Sequence, residues 1–544
     1  MNLKLTLRAA LLALACAGLA GSLQAAEPKL PGKLIIDAKP FIDQLLENQW
    51  KEEKLTAAPR TSDAEFMRRV CLDITGQVPL PHEVRVFEED PSPDKRPRLI
   101  DRLLESDDYA QHWANLWTQW LMAGPLPEPA HRERFRDWLR GQLADEVSHK
   151  ELTKKLLTAT GKAQENPATL FLRSHLGLEQ PKNRWGNEGR FNVEPATWRT
   201  TRAFLGIQVS CIRCHDHPWN ANLKQKDFWG LNVFYRQLDV TADGAQVDNP
   251  QLNRNGLIFY EKRNGVFVPP IAAFLDGRQL RHFQGPNDTR RDVLAEFVVT
   301  AQNFAPALVN RYWGQFFGRG LNLWPAVDDF GNNNVVVHPE LLHRLSAEFA
   351  TNGHNYKKLI RWICNSQAYQ LQSVSNASNL SPDTEVWLSR MPLKELKPEQ
   401  RLNALLRALR ADETLTPAEQ RQFRQRWRAT MERPEVSDEM DYNICVQWQT
   451  VPVHFEAALV MHFDRDIIRM LEHRRGVVAQ AVQAGKVATV LDELYLAALN
   501  RRPTARETAW IERELAKAKP EEVTAFWQDV FFVLLNSSEF IFNR

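Results

Sequence analysis

Cysteine, charge imbalance and long apolar runs are all scarce in this sequence, and each shortage excludes something. Six cysteines in 544 residues are too few for a disulfide scaffold, so packing must hold the chain together. Lys and Arg total 69 against 67 for Asp and Glu, so no surplus charge draws the chain to nucleic acid or to an acidic surface. No stretch reaches the roughly 18 uncharged apolar residues of a spanning helix, and no transmembrane segment is expected. There is no internal repeat, which argues against a solenoid.

At the N-terminus, Lys4 and Arg8 precede an apolar stretch from Ala9 to Leu19, followed by the small pair Ala25 and Ala26. That order predicts a secretory signal peptide over residues 1–26, and with it a periplasmic or extracellular mature chain. Leu14-Ala15-Cys16 loosely resembles a lipoprotein processing site, which would give a lipid-anchored form; Ala13 stands against it, where such sites usually carry Leu. Cys71, Cys364 and Cys445 read as buried small hydrophobes.

What is abundant is apolar surface, 43% of residues, and tryptophan, 17 in all. Trp113, Trp117 and Trp120 fall along one side of a helical pattern from Ser106 to Met122, the stripe of an element packed on a core. Ser62-Asp63-Ala64-Glu65 and Thr504-Ala505-Arg506-Glu507 read as capping boxes, Thr289 as an N-cap and Pro306 as a first helical residue. Gly76 and Gly318 read as helix stops, and Pro339 as a start. Leu257 to Tyr260 and Val266 to Val268 flank Asn264-Gly265, a hairpin signal. The expected fold is mainly α: two helical domains, at residues 27–238 and 286–544, with a small β-rich connector at 239–285.

The chemistry concentrates at Cys211-Ile212-Arg213-Cys214-His215. The run from Trp198 to His217 reads as one helix ended by Pro218, with Phe204, Gln208, Cys211, Cys214 and His215 on a shared face. C-x-x-C-H is the attachment signature of one covalent haem c: Cys211 and Cys214 each take a vinyl group, and His215 presents its imidazole to the iron. An export signal places the chain where such haem is attached. The aromatics Trp219, Phe228, Trp229, Phe234 and Tyr235 follow as candidate walls. Candidates for the sixth ligand include His175, His338 and Met122, and the sequence selects none. Zinc held by Cys211, Cys214 and His217, with a ligand from elsewhere, is an alternative, as are a redox thiol pair and a plain disulfide.

Two sets of motifs carry a family resemblance. The first comprises Arg68-Arg69-Val70-Cys71-Leu72-Asp73-Ile74-Thr75-Gly76, Leu99-Ile100-Asp101-Arg102-Leu103-Leu104, and Cys211 to Pro218 with Gln225-Lys226-Asp227-Phe228. The second comprises Val309-Asn310-Arg311-Tyr312-Trp313, Phe317-Gly318-Arg319-Gly320-Leu321, Asp328-Asp329-Phe330, His338-Pro339-Glu340-Leu341-Leu342 and Ser366-Gln367-Ala368-Tyr369-Gln370. With these the chain resembles exported planctomycete-type proteins that join the domain of unknown function 1549 (planctomycete cytochrome C-like) to the domain of unknown function 1553. The resemblance implies association with exported sulfatase-like or redox partner proteins and, by association only, polysaccharide metabolism. Many relatives carry a further N-terminal C-x-x-C-H module that this chain lacks, and Pro452-Val453-His454-Phe455 departs from the family's usual Pro-Gln-Ala run.

Asp328, Asp329, His338 and Glu340 form a secondary candidate site near Arg311 and Arg319 in sequence, able in principle to bind a metal or to serve as acid and base. The plainer expectation is that the aspartates pair with the arginines and that His338 stands at a helix cap. The functional expectation is an exported, metal-binding electron-transfer protein of c-type haem. A non-redox binding or scaffolding protein, with structural zinc or a disulfide at the same residues, is the alternative.

Overall fold

A computed structural model describes residues 39–122, 129–280, 289–324, 326–330, 334–431, 465–483 and 485–544. The expected signal peptide, Cys16, Cys445, Pro452 to Phe455 and the expected boundary at residue 285 lie outside the described residues. Residues 37–544 form one compact unit. It is mainly α, with strands only in pieces of two to four residues, and none of its described helices is long and apolar enough to cross a membrane.

Most helix ends are set by their own capping residues. Helix α1 (Asp63–Thr75) begins where Ser62 Oγ accepts the Glu65 N–H at 3.2 Å, and it ends at Gly76, φ 68°. Only glycine fits there, since a Cβ would lie 2.5 Å from the His112 ring. Ser106 caps α2 (Asp107–Leu121) in the same way. Helix α3 (Glu194–Leu205) and α4 (Gln225–Asn232) bracket the C-x-x-C-H segment. Thr289 and Asp292 form a reciprocal box before the helix Arg290–Val299, and Thr504 with Glu507 forms another before Ala505–Leu515. Helix α5 (Phe304–Phe317) stops at Gly318, φ 74°, and α6 (Pro339–Thr351) starts on its proline. Pro306 is thus the third residue of α5 rather than the first: the helix starts at Phe304, and the first turn tolerates proline because its N–H groups have no intrahelical partner.

One of the small strand pairs matches the hairpin signal at Asn264-Gly265. β1 (Gly161–Lys162), β2 (Leu238–Val240) and β3 (Ala245–Asp248) form an antiparallel sheet with β3 central. β4 (Tyr260–Glu261) and β5 (Phe267–Val268) form the expected hairpin, turning at Gly265, φ 79°. β6 (Lys394–Glu395) pairs with β7 (Phe542–Asn543) near the C-terminus.

Two large apolar cores follow, and the larger draws side chains from both sides of residue 285, from Phe41 to Leu496. At its centre α2 meets α5: the Trp113 ring stacks on Tyr312 at 4.4 Å, and Trp117 Nε1 donates to Tyr312 Oη at 3.1 Å. Both tryptophans are fully buried, so they fill the core, each contributing on the order of 2–3 kcal/mol by burial. The second core gathers Leu402, Leu405, Leu491, Leu494, Trp527 and Phe531. Cys71 and Cys364 are buried free thiols, and burial pushes Cys71 up to about 12.

Candidate cofactor-attachment site

The C-x-x-C-H segment does not continue the helix before it. Helix α3 closes at Gly206, φ 61°, whose N–H returns to the Thr201 carbonyl. An extended stretch follows, and Cys211–Arg213 form a single 3-10 turn. The expected helix from Trp198 to His217 is therefore two elements, because glycine in the left-handed conformation ends the first. The shared face survives for the thiols, since residues three apart eclipse in a 3-10 turn. Cys214 is exposed and Cys211 half-buried, and both are free thiols. Burial raises the Cys211 thiol above its ordinary pKa, and the charge of Asp329 adds to the rise.

The turn is anchored from below by a small apolar cluster of Val209, Ile212, Leu223 and Phe228. The Arg213 carbonyl accepts from Trp229 Nε1 at 2.9 Å and from Gln225 Nε2 at 3.2 Å. The same Gln225 amide donates to the Glu261 carbonyl at 2.9 Å, tying the turn to the β4–β5 hairpin. Asp216 accepts the Gln225 N–H at 3.0 Å at the start of α4, and that bond holds its carboxyl below the usual range. Arg213 reaches back to Glu194 at 2.9 Å. Trp229 stacks on Tyr260 at 6.1 Å, so the alternation along the strands turns Phe259 and Phe267 outward, each 62% exposed. Trp219 is 70% exposed, whereas Phe234 and Tyr235 belong to the main core. The walls expected downstream of the cluster are thus divided between a platform under the turn and the molecule's centre.

The two histidines have opposite tautomers. His215 Nδ1 lies 2.7 Å from the Asp216 carbonyl, which only accepts, so Nδ1 carries the proton and the Nε2 lone pair is left for a metal. His217 Nδ1 accepts the N–H groups of Trp219 and Asn220, both at 3.1 Å, so its proton sits on Nε2. His217 is buried and locks the turn that follows; burial, reinforced by nearby His215, keeps it below its ordinary pKa. Among the described residues no group of three His, Cys, Asp or Glu side chains is placed to hold a metal ion.

The secondary constellation does not assemble. Asp328 is buried and accepts from Arg202 Nε at 2.7 Å, with Arg311 adding to the charges that lower its pKa against burial. His338 stands at the α6 N-cap position without capping it; its Nε2 bonds the Val386 carbonyl at 2.8 Å, and burial drops it to about 4. Glu340 is exposed and faces Arg344 at 3.9 Å. Of the sixth-ligand candidates, His175 Nε2 is likewise bonded to a carbonyl, that of Leu121 at 2.8 Å, and Met122 is buried.

Asp328 and Phe330 instead dock on the end of α3, the helix that leads toward the C-x-x-C-H turn. Phe330 N–H donates to the Gly206 carbonyl at 2.7 Å, and its ring lies against Gly206. Arg311 donates to the carbonyls of Arg202 and Ala203 at the end of α3. Gly206→Ala is therefore expected to cost about 1–3 kcal/mol in denaturant unfolding, because a Cβ would need φ 61° and would sit 2.7 Å from the Phe330 ring. A loss under half a kcal/mol would mean that this contact yields freely.

Two family models match: Protein of unknown function (DUF1549) over residues 41–240, and Protein of unknown function (DUF1553) over residues 290–515. The chain belongs to this two-part family. No curated protein and no solved structure matches it. In this DUF1549–DUF1553 chain the C-x-x-C-H turn lies in the first match and the docked Asp328–Phe330 segment in the second. In the sequence, Gln225, Asp216 and Arg213 stand out only as members of the family motifs. Their role, clamping the turn, shows in the sequence only as polar residues flanking Cys214 and opening α4.

Proposed function

We propose that this protein is an exported c-type haem carrier that transfers electrons, with haem joined to Cys211 and Cys214 and its iron ligated by His215. The observation that carries the reading is the tautomer of His215: the Asp216 carbonyl takes the Nδ1 proton and leaves Nε2 for iron. Two free thiols on one side of a 3-10 turn and the outward aromatics Trp219, Phe259 and Phe267 support it. The haem would supply a one-electron couple. The chain's own residues do the rest: Gln225 and Trp229 fix the turn, and His217 braces the loop behind it.

Exported, purified protein is expected to show a Soret band and a haem stain that survives denaturation. Cys214→Ala should leave at most one thioether, and Cys211→Ala together with Cys214→Ala should abolish the stain while the fold persists, because neither side chain belongs to the large cores. Colourless protein with stoichiometric zinc would overturn the reading in favour of a scaffolding protein.

A further inference from the structure

The segment Asp328–Phe330 lies over 100 residues beyond the C-x-x-C-H turn in sequence, yet it is docked beside it. Three contacts fix it there: the buried Arg202–Asp328 ion pair at 2.7 Å, the Phe330 N–H on the Gly206 carbonyl at 2.7 Å, and the Phe330 ring packed against Gly206. Arg202 and Gly206 are the last turn and the cap of α3, so the segment is positioned from the element that leads into Cys211. Between the two anchored residues stands Asp329, half-buried. It is held on the cap of α3, five residues before Cys211, and its charge is the smallest of the influences on that thiol.

We infer that Asp328–Phe330 is a second wall of the C-x-x-C-H site, supplied by the DUF1553 part, and that Asp329 is the positioning residue of that wall, facing whatever group Cys211 carries. The inference rests on the haem reading for the identity of that group, but not for the position of the wall. A carboxylate fixed beside a redox centre favours the more positive, oxidised state, by Coulomb attraction that is weakly screened in a partly buried site. Asp328 holds the segment through Arg202, and Asp329 supplies the field.

Two measurements test this, one of them without haem. In a chain carrying Cys214→Ser and Asp329→Cys, a short phenylene dimaleimide should bridge Cys211 to the new thiol. Each S–H adds across one maleimide double bond, forming an S–C bond and placing the hydrogen on the neighbouring carbon, so no oxidant is needed. Peptide mapping should find the bridged pair in most molecules; singly capped thiols alone would overturn the wall. In haem-carrying protein, Asp329→Asn should shift the reduction midpoint upward while the absorption spectrum keeps its shape. An unchanged midpoint would overturn the role of Asp329. A bridge in the haem-free variant, with the unsubstituted chain staying colourless when exported by haem-attaching cells, would leave the wall standing and sink the haem reading; covalent haem in the unsubstituted chain with no bridge in the haem-free variant would do the reverse.

Discussion

Replacing Asp73 by alanine is expected to cost the fold about 3–5 kcal/mol, the range for breaking a buried ion pair from one side. Asp73 is 2% exposed in α1 and takes three donors: Lys394 Nζ at 2.7 Å, Asn543 Nδ2 at 3.0 Å and Tyr369 Oη at 2.8 Å. Lys394 and Asn543 are partners in the β6–β7 ladder, so one carboxylate binds α1 to the strand pair beside the second core. Burial pulls Lys394 below its ordinary pKa while Asp73 pushes it back up, and burial holds neighbouring Lys397 at about 8. Without Asp73, Lys394 Nζ would keep the Gln315 carbonyl at 3.3 Å but lose its counter-ion, with the Lys397 charge still nearby. Asp73→Ala combined with Lys394→Met should recover much of the loss, a coupling that a double-mutant cycle in urea reads directly. A loss below 1 kcal/mol for Asp73→Ala would show that water or another group satisfies Lys394.

Acid is expected to destabilise the protein steeply between about pH 6.5 and pH 4. Among the described residues, four deeply buried histidines are held neutral, chiefly by burial: His112 and His175 at about 3, His338 at about 4, and His149 well below 6.5; His217, also buried, shifts the same way. The unfolded chain protonates all four near pH 6.5 while the folded chain does not, so the unfolded state binds more protons in this window and stability falls as pH falls. Each such proton is worth about 1.4 kcal/mol per pH unit, and four together about 5. Against a typical total of roughly 5–15 kcal/mol, that brings the folded state near its limit around pH 5. Urea midpoints at pH 7, 6 and 5 check it, and His338→Gln should flatten the slope by about one proton. Midpoints constant over that range would mean that the buried imidazoles find protons in the fold.

The parts of this architecture legible in the sequence are those encoded locally. Ser62, Thr289, Thr504, Gly76 and Gly318 act on groups within a turn of themselves, and each does what its chemistry announces. The segment before Cys211 was misleading because Phe204, Gln208 and Cys211 keep a helical spacing straight through Gly206, and a lone glycine inside a helical pattern does not declare whether it is tolerated or is the cap. The cap, Gly206 at φ 61°, is packed against the ring of Phe330, more than a hundred residues away in the chain. The pairing of Asp328 with Arg202 is of the same kind. The two aspartates stand near His338 and Glu340 in sequence, whereas in the folded chain their segment docks on the end of α3. The opposite roles of His215 and His217 were also hidden, since they depend on which backbone groups each Nδ1 meets.

The most direct test of the haem assignment is the intact mass of the exported, purified chain under denaturing conditions. The expected result is the mass of the mature polypeptide plus one haem, with its two thioether bonds mapped to Cys211 and Cys214. A bare polypeptide mass from colourless protein, exported by cells able to attach haem to other C-x-x-C-H proteins, would contradict it.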